Sequence, residues 1–216
     1  MRAEKPDAAV WSAADAVRAS RADSLLRIEL DDPSGFPRLT RAVLAELHRL
    51  LDTARKTPAP PAIVLTGTNK CFAAGADLAE VGALDALEAL RFSALGQGLM
   101  RKIEQHTRPV VAAIRGYCLG GGFDLALACH ARVASTNAMF GHPGAGLGII
   151  TGWGGTQRLL RILGPGRHAR AAEMLATGRS ITAQEAHTWG LVSRVVPPNR
   201  VLETAFRLAR NARRGA

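Results

Sequence analysis

Several things are scarce in this 216-residue chain. Aromatic residues make up 5% of it, with a single tyrosine, and lysine stands only at Lys5, Lys56, Lys70 and Lys102. The formal charge of +10 is therefore carried mostly by arginine. The tail after Asn199 holds Arg200, Arg207, Arg210, Arg213 and Arg214 against Glu203. With so few aromatics, no zinc-finger spacing and no aromatic RNA-binding strand, the charge lacks a reading element, so nucleic acid is excluded as a partner. The charge reads as a solvated surface, or as a field that attracts a polyanionic small molecule. Cys71, Cys118 and Cys129 are odd in number and match no C-x-x-C pair, which excludes a metal site and points to reduced thiols in a cytoplasmic protein. No apolar run approaches the ~20 residues that a membrane-crossing helix needs. Glu4, Asp7 and Asp15 interrupt the opening segment, which argues against a secretory leader.

What is present is a globular mixture, 47% hydrophobic and 21% charged, which excludes wholesale disorder. Residues 1–22 are Ala-rich, with Val10, Trp11, Ala14 and Val17 near helical spacing, and are expected to form an arm or helix before the fold. Residues 23–199 read as one compact core and 200–216 as the start of a helical C-terminal segment. Leu26, Ile28 and Leu30 alternate with Arg27 and Glu29, as in a half-buried strand. Leu39, Val43, Leu44, Leu47, Leu50 and Leu51 predict a helix over 39–54, ended by Pro58, Pro60 and Pro61. Apolar runs at 63–67 and 110–114 predict buried strands. Helices are expected over 84–105, over 123–129 and from about Thr156, and short strands at 132–134 and 139–140. Alternating strands and helices with buried apolar strands indicate an α/β fold.

Three segments demand unusual backbone. They are Cys71-Phe72-Ala73-Ala74-Gly75-Ala76-Asp77-Leu78, Gly116 through Asp124 with its run Gly120-Gly121-Gly122, and Phe140-Gly141-His142-Pro143-Gly144 through Trp153-Gly154-Gly155-Thr156-Gln157-Arg158. Small residues let backbone N–H groups approach a ligand. A helix starting at Gly121 or Gly122 would aim free N–H groups and a partial positive charge at an anion or oxyanion. No G-x-x-x-x-G-K-[ST] or G-x-G-x-x-G spacing is present, so a nucleotide loop is a poor description.

In this order and spacing, A-G-A-D-L (74–78), G-Y-x-L-G-G-G (116–122) and G-G-T-Q-R (154–158) resemble the crotonase, or enoyl-CoA hydratase/isomerase, superfamily from about Leu25 to Arg207. Ala183-Gln184-Glu185-Ala186 and Gly190-Leu191-Val192 are similar to that family's later helix and strand. The resemblance implies a crotonase-like spiral of ββα units, binding of an acyl-CoA thioester and stabilisation of its enolate. It implies no cofactor beyond coenzyme A as part of the substrate, and a homotrimer or hexamer. Carried over by position, the oxyanion donors are the amides of Ala76 and Gly121, with Asp124 as a catalytic carboxylate. Ala74, Gly75, Asp77, Leu78 and Gly120 fall in the CoA-binding part, and Gly144, Thr151 and Trp153 around the acyl group.

The chain departs from the family at telling places. Of the family's two glutamates, the first falls at Asp124, one methylene shorter, and the second at Gly144, which can carry no proton. Asp124 also suits the first turn of a helix on electrostatic grounds alone. His142, two residues before Gly144, is another group able to supply a proton, although a lone loop histidine is more commonly structural. A lysine often found after the Asp-Leu pair is replaced by Ala79, with Arg38 as a substitute, and Glu80 and Asp85 read as surface charges. The family's C-terminal helical segment is expected to be short by roughly forty to fifty residues. That would leave Val201, Leu202 and Phe206 exposed in a monomer. The primary expectation is a hydratase or isomerase acting through an enolate. Acyl-CoA decarboxylation or C–C hydrolysis, and a non-catalytic acyl-CoA binder, are the alternatives.

Overall fold

The apolar runs that the sequence marks as strands near 26–30, 63–67 and 110–114 enter one seven-stranded sheet, whereas Met139 and Phe140 enter a smaller one. The computed structural model describes residues 10–11 and 16–211. In chain order the first strands are β1 (Val10–Trp11), β2 (Val17–Ala22), β3 (Leu25–Leu30) and β4 (Arg38–Leu39). They are followed by β5 (Ala62–Thr66), β6 (Cys71–Ala73), β7 (Gly75–Ala76), β8 (Val110–Ile114) and β9 (Tyr117–Leu119). The last are β10 (Ala131–Ser135), β11 (Met139–Gly141), β12 (Ile181–Thr182) and β13 (Arg194–Val196). The large sheet runs β1-β2-β3-β5-β8-β10-β13, and a smaller one runs β12-β11-β9-β6.

The helices are α1 (Arg41–Lys56), α2 (Leu78–Gly82), α3 (Ala86–Glu104) and α4 (Gly121–Ala128). They continue with α5 (Gly155–Leu163), α6 (His168–Thr177), α7 (Ala183–Thr188) and α8 (Val201–Asn211). The chain thus repeats a unit: a strand in the large sheet, a strand in the small sheet, then helix. The units start at β5, β8 and β10, and successive units pair in parallel in both sheets. That is the expected ββα spiral.

Three differences from the sequence reading stand out toward the ends. Val17–Ala22 is a strand of the large sheet, paired antiparallel with β3, so ordered structure begins before residue 23. Val10 and Trp11 are strand and not helix, because they pair with Arg18 and Ala19. The rest of the expected arm lies outside the described residues. The strand expected at Gly190-Leu191-Val192 forms instead at Arg194–Val196, where it meets Val133, Ala134 and Ser135 in parallel register.

β5 and β8 are buried along their whole length, so both faces of the sheet need cover. On one face Leu26, Ile28, Leu30, Ile63, Leu65, Val110 and Ile114 join the main core with α1 and α3. On the other, Leu25, Ala62, Val64, Val111, Ala113 and Val133 are covered by Val201, Ala205 and Ala209 of α8. This corrects the expected exposed patch: Val201 is fully buried, and Leu202 and Phe206 pack against the same cluster. The sheet face took up the apolar side of the last helix. Cys71, Cys118 and Cys129 are buried free thiols, and burial pushes Cys71 and Cys129 up to about 12. No helix among the described residues is long and apolar enough to cross a membrane.

Arg132 is buried with no carboxylate partner among the described residues. Its guanidinium donates to the carbonyls of Ala126 (3.1 Å) and Cys129 (2.6 Å), at the negative end of α4, and to that of Leu191. One side chain therefore ties α4 to the turn after α7. Arg132→Met keeps the stem and orphans those oxygens. It should lower unfolding free energy by about 3 kcal/mol, read from the urea midpoint, because buried unpaired acceptors cost ~1–3 kcal/mol each.

Candidate active site

β6, β9 and β11 run parallel, so their C-terminal ends lie side by side, and each of the three unusual segments leaves one of those ends. The second segment turns sharply at Gly120, whose φ of 51° favours glycine, and passes directly into α4 with no side-chain cap. The first lies against it: a Cβ on Gly75 would come within 3.2 Å of the Gly121 nitrogen. A cavity of about 280 Å³ opens here. Ala74, Gly75, Ala76 and Leu78 line it with Gly120 and Gly121, and Gly144, Thr151 and Trp153 line it from the third segment.

Asp77 and Asp124 do not line the cavity. The Asp77 carboxylate caps α2, accepting from the amides of Ala79 (2.9 Å) and Glu80 (3.1 Å), and pairs with Arg38 at 2.8 Å. The Glu80 amide, with those of Ala79 and the Arg38 charge, holds its carboxyl below the usual range. Its place in the motif is to start a helix. Arg38 also faces Asp32 at 3.7 Å, so its charge is already engaged. Glu80 accepts from the amide of Arg41 at the start of α1, and Asp85 caps α3 with Glu88. Both carboxylates hold helix ends.

Asp124 is fully buried behind the cavity wall. Burial pushes its carboxyl up to about 6, while the Thr151 hydroxyl, Arg158 and the Trp153 and Gly155 amides pull it back. Thr151 donates to its Oδ2. Its Oδ1 lies 3.5 Å from Nε2 of His142, which is itself 5% exposed and part of the cavity wall. Burial lowers His142 to about 4. The structure thus joins Asp124, His142 and Thr151, three residues from two segments, in one polar cluster. Gly144 sits at the start of a short 3-10 helix, Pro143–Leu147, and accepts from the Ile149 amide at 2.9 Å. A Cβ there would meet the Ile149 carbonyl oxygen at 2.8 Å, so loop backbone holds the space that a longer side chain would enter.

Trp153 is buried edge-on to Phe92, with ring centroids 5.3 Å apart. A Cβ on Gly121 would fall 2.3 Å from its ring. Its carbonyl accepts from Arg158 (2.8 Å), which also grips both oxygens of Glu104 at 2.8 Å. Phe92, Ser93 and Gln97 of α3 complete this side, the last two donating to the Gly152 carbonyl. Sequence reading missed them because α3 looks like any amphipathic helix. Past Gly152 and Trp153 lies a polar cavity of about 510 Å³, lined by Arg101, Arg158 and Arg161.

Known proteins share this fold. A family model described as enoyl-CoA hydratase/isomerase matches residues 20–215. The crotonyl-CoA hydratase of Syntrophomonas wolfei is 41% identical over 188 residues, covering 87% of this chain and 71% of that protein. The 2,3-dehydroadipyl-CoA hydratase of Escherichia coli is 40% identical over 190 residues, covering 88% and 72%. Among solved structures, an enoyl-CoA hydratase from Bacillus anthracis superimposes with a TM-score of 0.84 at 38% identity, covering 90% of this chain and 75% of that one. One from Geobacillus kaustophilus gives 0.87 at 30% identity, covering 94% and 76%. With a matching family model over nearly its whole length, these relatives and the same spiral of ββα units, the chain belongs to the enoyl-CoA hydratase/isomerase family.

Proposed function

We propose that this enzyme of the enoyl-CoA hydratase/isomerase type binds a conjugated enoyl-CoA with its thioester oxygen on the amides of Ala76 and Gly121. The carrying observation is the close approach of the Gly75 and Gly121 backbones at the cavity wall. Two such donors, aimed at one oxygen in a water-poor site, favour the enolate over the neutral thioester. Elsewhere each is worth roughly 2.7–4 kcal/mol of barrier. Ala74, Ala76 and Leu78 form the side on which the CoA moiety enters, and the basic surface draws its phosphates. The acyl group then lies toward Thr151 and Trp153. Asp124 supplies the site's carboxylate from behind the wall. Raised to about 6, this carboxyl changes its ionisation close to neutral pH, so its charge is sensitive to what the site does there.

The reading is tested by the loss of the enoyl-thioester absorbance when the protein meets crotonyl-CoA. Asp124→Asn should lower turnover roughly 10²–10⁴-fold with ester binding kept. Unchanged turnover would remove Asp124 from the chemistry. Turnover of a malonyl-type ester without hydration would move the reaction to decarboxylation, and tight binding with no turnover of any ester would make the protein a binder. Gly121→Ala forces the donor amide and the Trp153 ring apart, so kcat should fall by at least about tenfold, with loss of stability by overpacking.

The same carboxylate carries a stability signature. Its folded value of about 6 lies above the unfolded 3.8, so the folded state holds the extra proton between those values. Its contribution is favourable at low pH and is lost as pH rises through 6. Above that, the ionised group costs on the order of 3 kcal/mol. Asp124→Asn should therefore raise the urea midpoint at about pH 7–8, and the gain should vanish below about pH 4. A lower midpoint at every pH would show that the contacts with Thr151 and Arg158 outweigh burial.

A further inference from the structure

We propose that His142 is the proton carrier of this site, with Asp124 positioning and balancing its imidazolium. The inference rests on the acyl-thioester reading above.

His142 is the titratable side chain on the cavity wall next to the position, Gly144, that has none. It is also unlike the buried His106 and the half-buried His48, which each share a hydrogen bond with a backbone group, as do the exposed His130 and His187. Among the described residues neither ring nitrogen of His142 has a hydrogen-bond partner, and neither does Oδ1 of Asp124, which faces Nε2 at 3.5 Å. Three buried polar atoms left unsatisfied at one spot are costly, and such groups in a folded protein call for a role. The Phe123 ring packs beside the imidazole, with centroids 5.1 Å apart. Gly155, from the G-G-T-Q-R motif, leaves room for the pair: a Cβ there would fall 1.9 Å from Asp124 Oδ1 and 3.0 Å from His142 Cε1.

The charges around the pair agree with this role. Asp124 faces the ring from α4, and Arg158 of α5 acts on Asp124 while held by Glu104 of α3. Cys118 of β9, close enough to feel Asp124, is a neutral thiol. Burial keeps His142 uncharged at neutral pH, hence able to accept a proton, while Asp124 is ionised above about 6. The imidazolium forms only when a proton arrives, and then it has a carboxylate beside it.

In hydration, an O–H bond of water breaks as its oxygen bonds to the β-carbon, and the proton goes to His142. The double-bond electrons move to the thioester oxygen as an enolate on Ala76 and Gly121. The enolate re-forms the carbonyl while the α-carbon takes the proton from His142. Water is added in full and the imidazole is regenerated, so one group serves where the family uses two.

His142→Gln is compared with the native enzyme for crotonyl-CoA turnover, and for binding of butyryl-CoA, which has no double bond to hydrate. A fall in kcat of about 100-fold or more, with butyryl-CoA affinity held within about threefold, is expected. Native activity should rise with pH through about 6, where Asp124 ionises. In Asp124→Asn that limb should move to lower pH, toward the titration of His142 alone, on a reduced plateau. A merely structural Asp124 would leave the limb in place. His142→Gln with kcat within about threefold of native overturns the proposal and leaves the acyl-thioester reading standing. Failure of the native enzyme to bind butyryl-CoA overturns that reading itself. Native binding without hydration of crotonyl-CoA or α-proton exchange of butyryl-CoA in D₂O also overturns the role of His142. Should His142→Gln and His142→Asn both lose the native melting transition, the native exchange profile decides: an acid limb near 6 supports the pair and a flat profile overturns it.

Discussion

The backbones of Gly75 and Gly121 lie so close that a single Cβ would reach the neighbouring amide, and the rest of the site depends on that contact. It sets the backbones of the first and second segments at one wall, and it requires that β6 and β9 pair in parallel, with a register shift that brings Ala73 opposite Cys118. Trp153 then closes the other side of Gly121, against Phe92. A substitution in any of these pieces moves the Gly121 amide, the proposed oxyanion donor, so on that proposal packing and chemistry cannot be separated at this position.

The repeating ββα unit explains why distant segments meet. Each unit advances one strand in both sheets, so three loops that are far apart in sequence become neighbours at one end of the small sheet. The cover on the far side comes from α8, whose small residues Ala205 and Ala209 allow close approach to Val64, Val111 and Ala113. Arg132 fastens the remaining corner through carbonyls alone. The site is therefore mounted on elements held by burial on both faces.

The polar cluster runs against the economy of the surrounding core. Asp124 is pushed toward protonation and His142 away from it, so burial opposes the charged form of both. The linkage signs are opposite: between about 6 and 4, falling pH favours the folded state through Asp124 and disfavours it through His142. A core with apolar side chains at both positions would avoid that conflict. Strain of this kind accords with the catalytic role proposed for the pair.

The sequence by itself determined the class of fold and the backbone part of the site. Strand periodicity at Leu26, Ile28 and Leu30 is set by the two-residue repeat of a strand, and the glycines of the three motifs mark places where no side chain fits. It also showed the missing carboxylate at Gly144, since an absent side chain needs no structure to detect. Only the tertiary structure decided which side chains face the cavity. Asp77 caps a helix, Asp124 stands behind the wall, and His142 joins it across segments. Nor could the sequence show that α8 covers the sheet, because Val201, Leu202 and Phe206 have the same apolar periodicity whether they meet a partner chain or their own. Spacing along a chain fixes which residues share a face, whereas contacts between segments depend on register and on the volume left by neighbours.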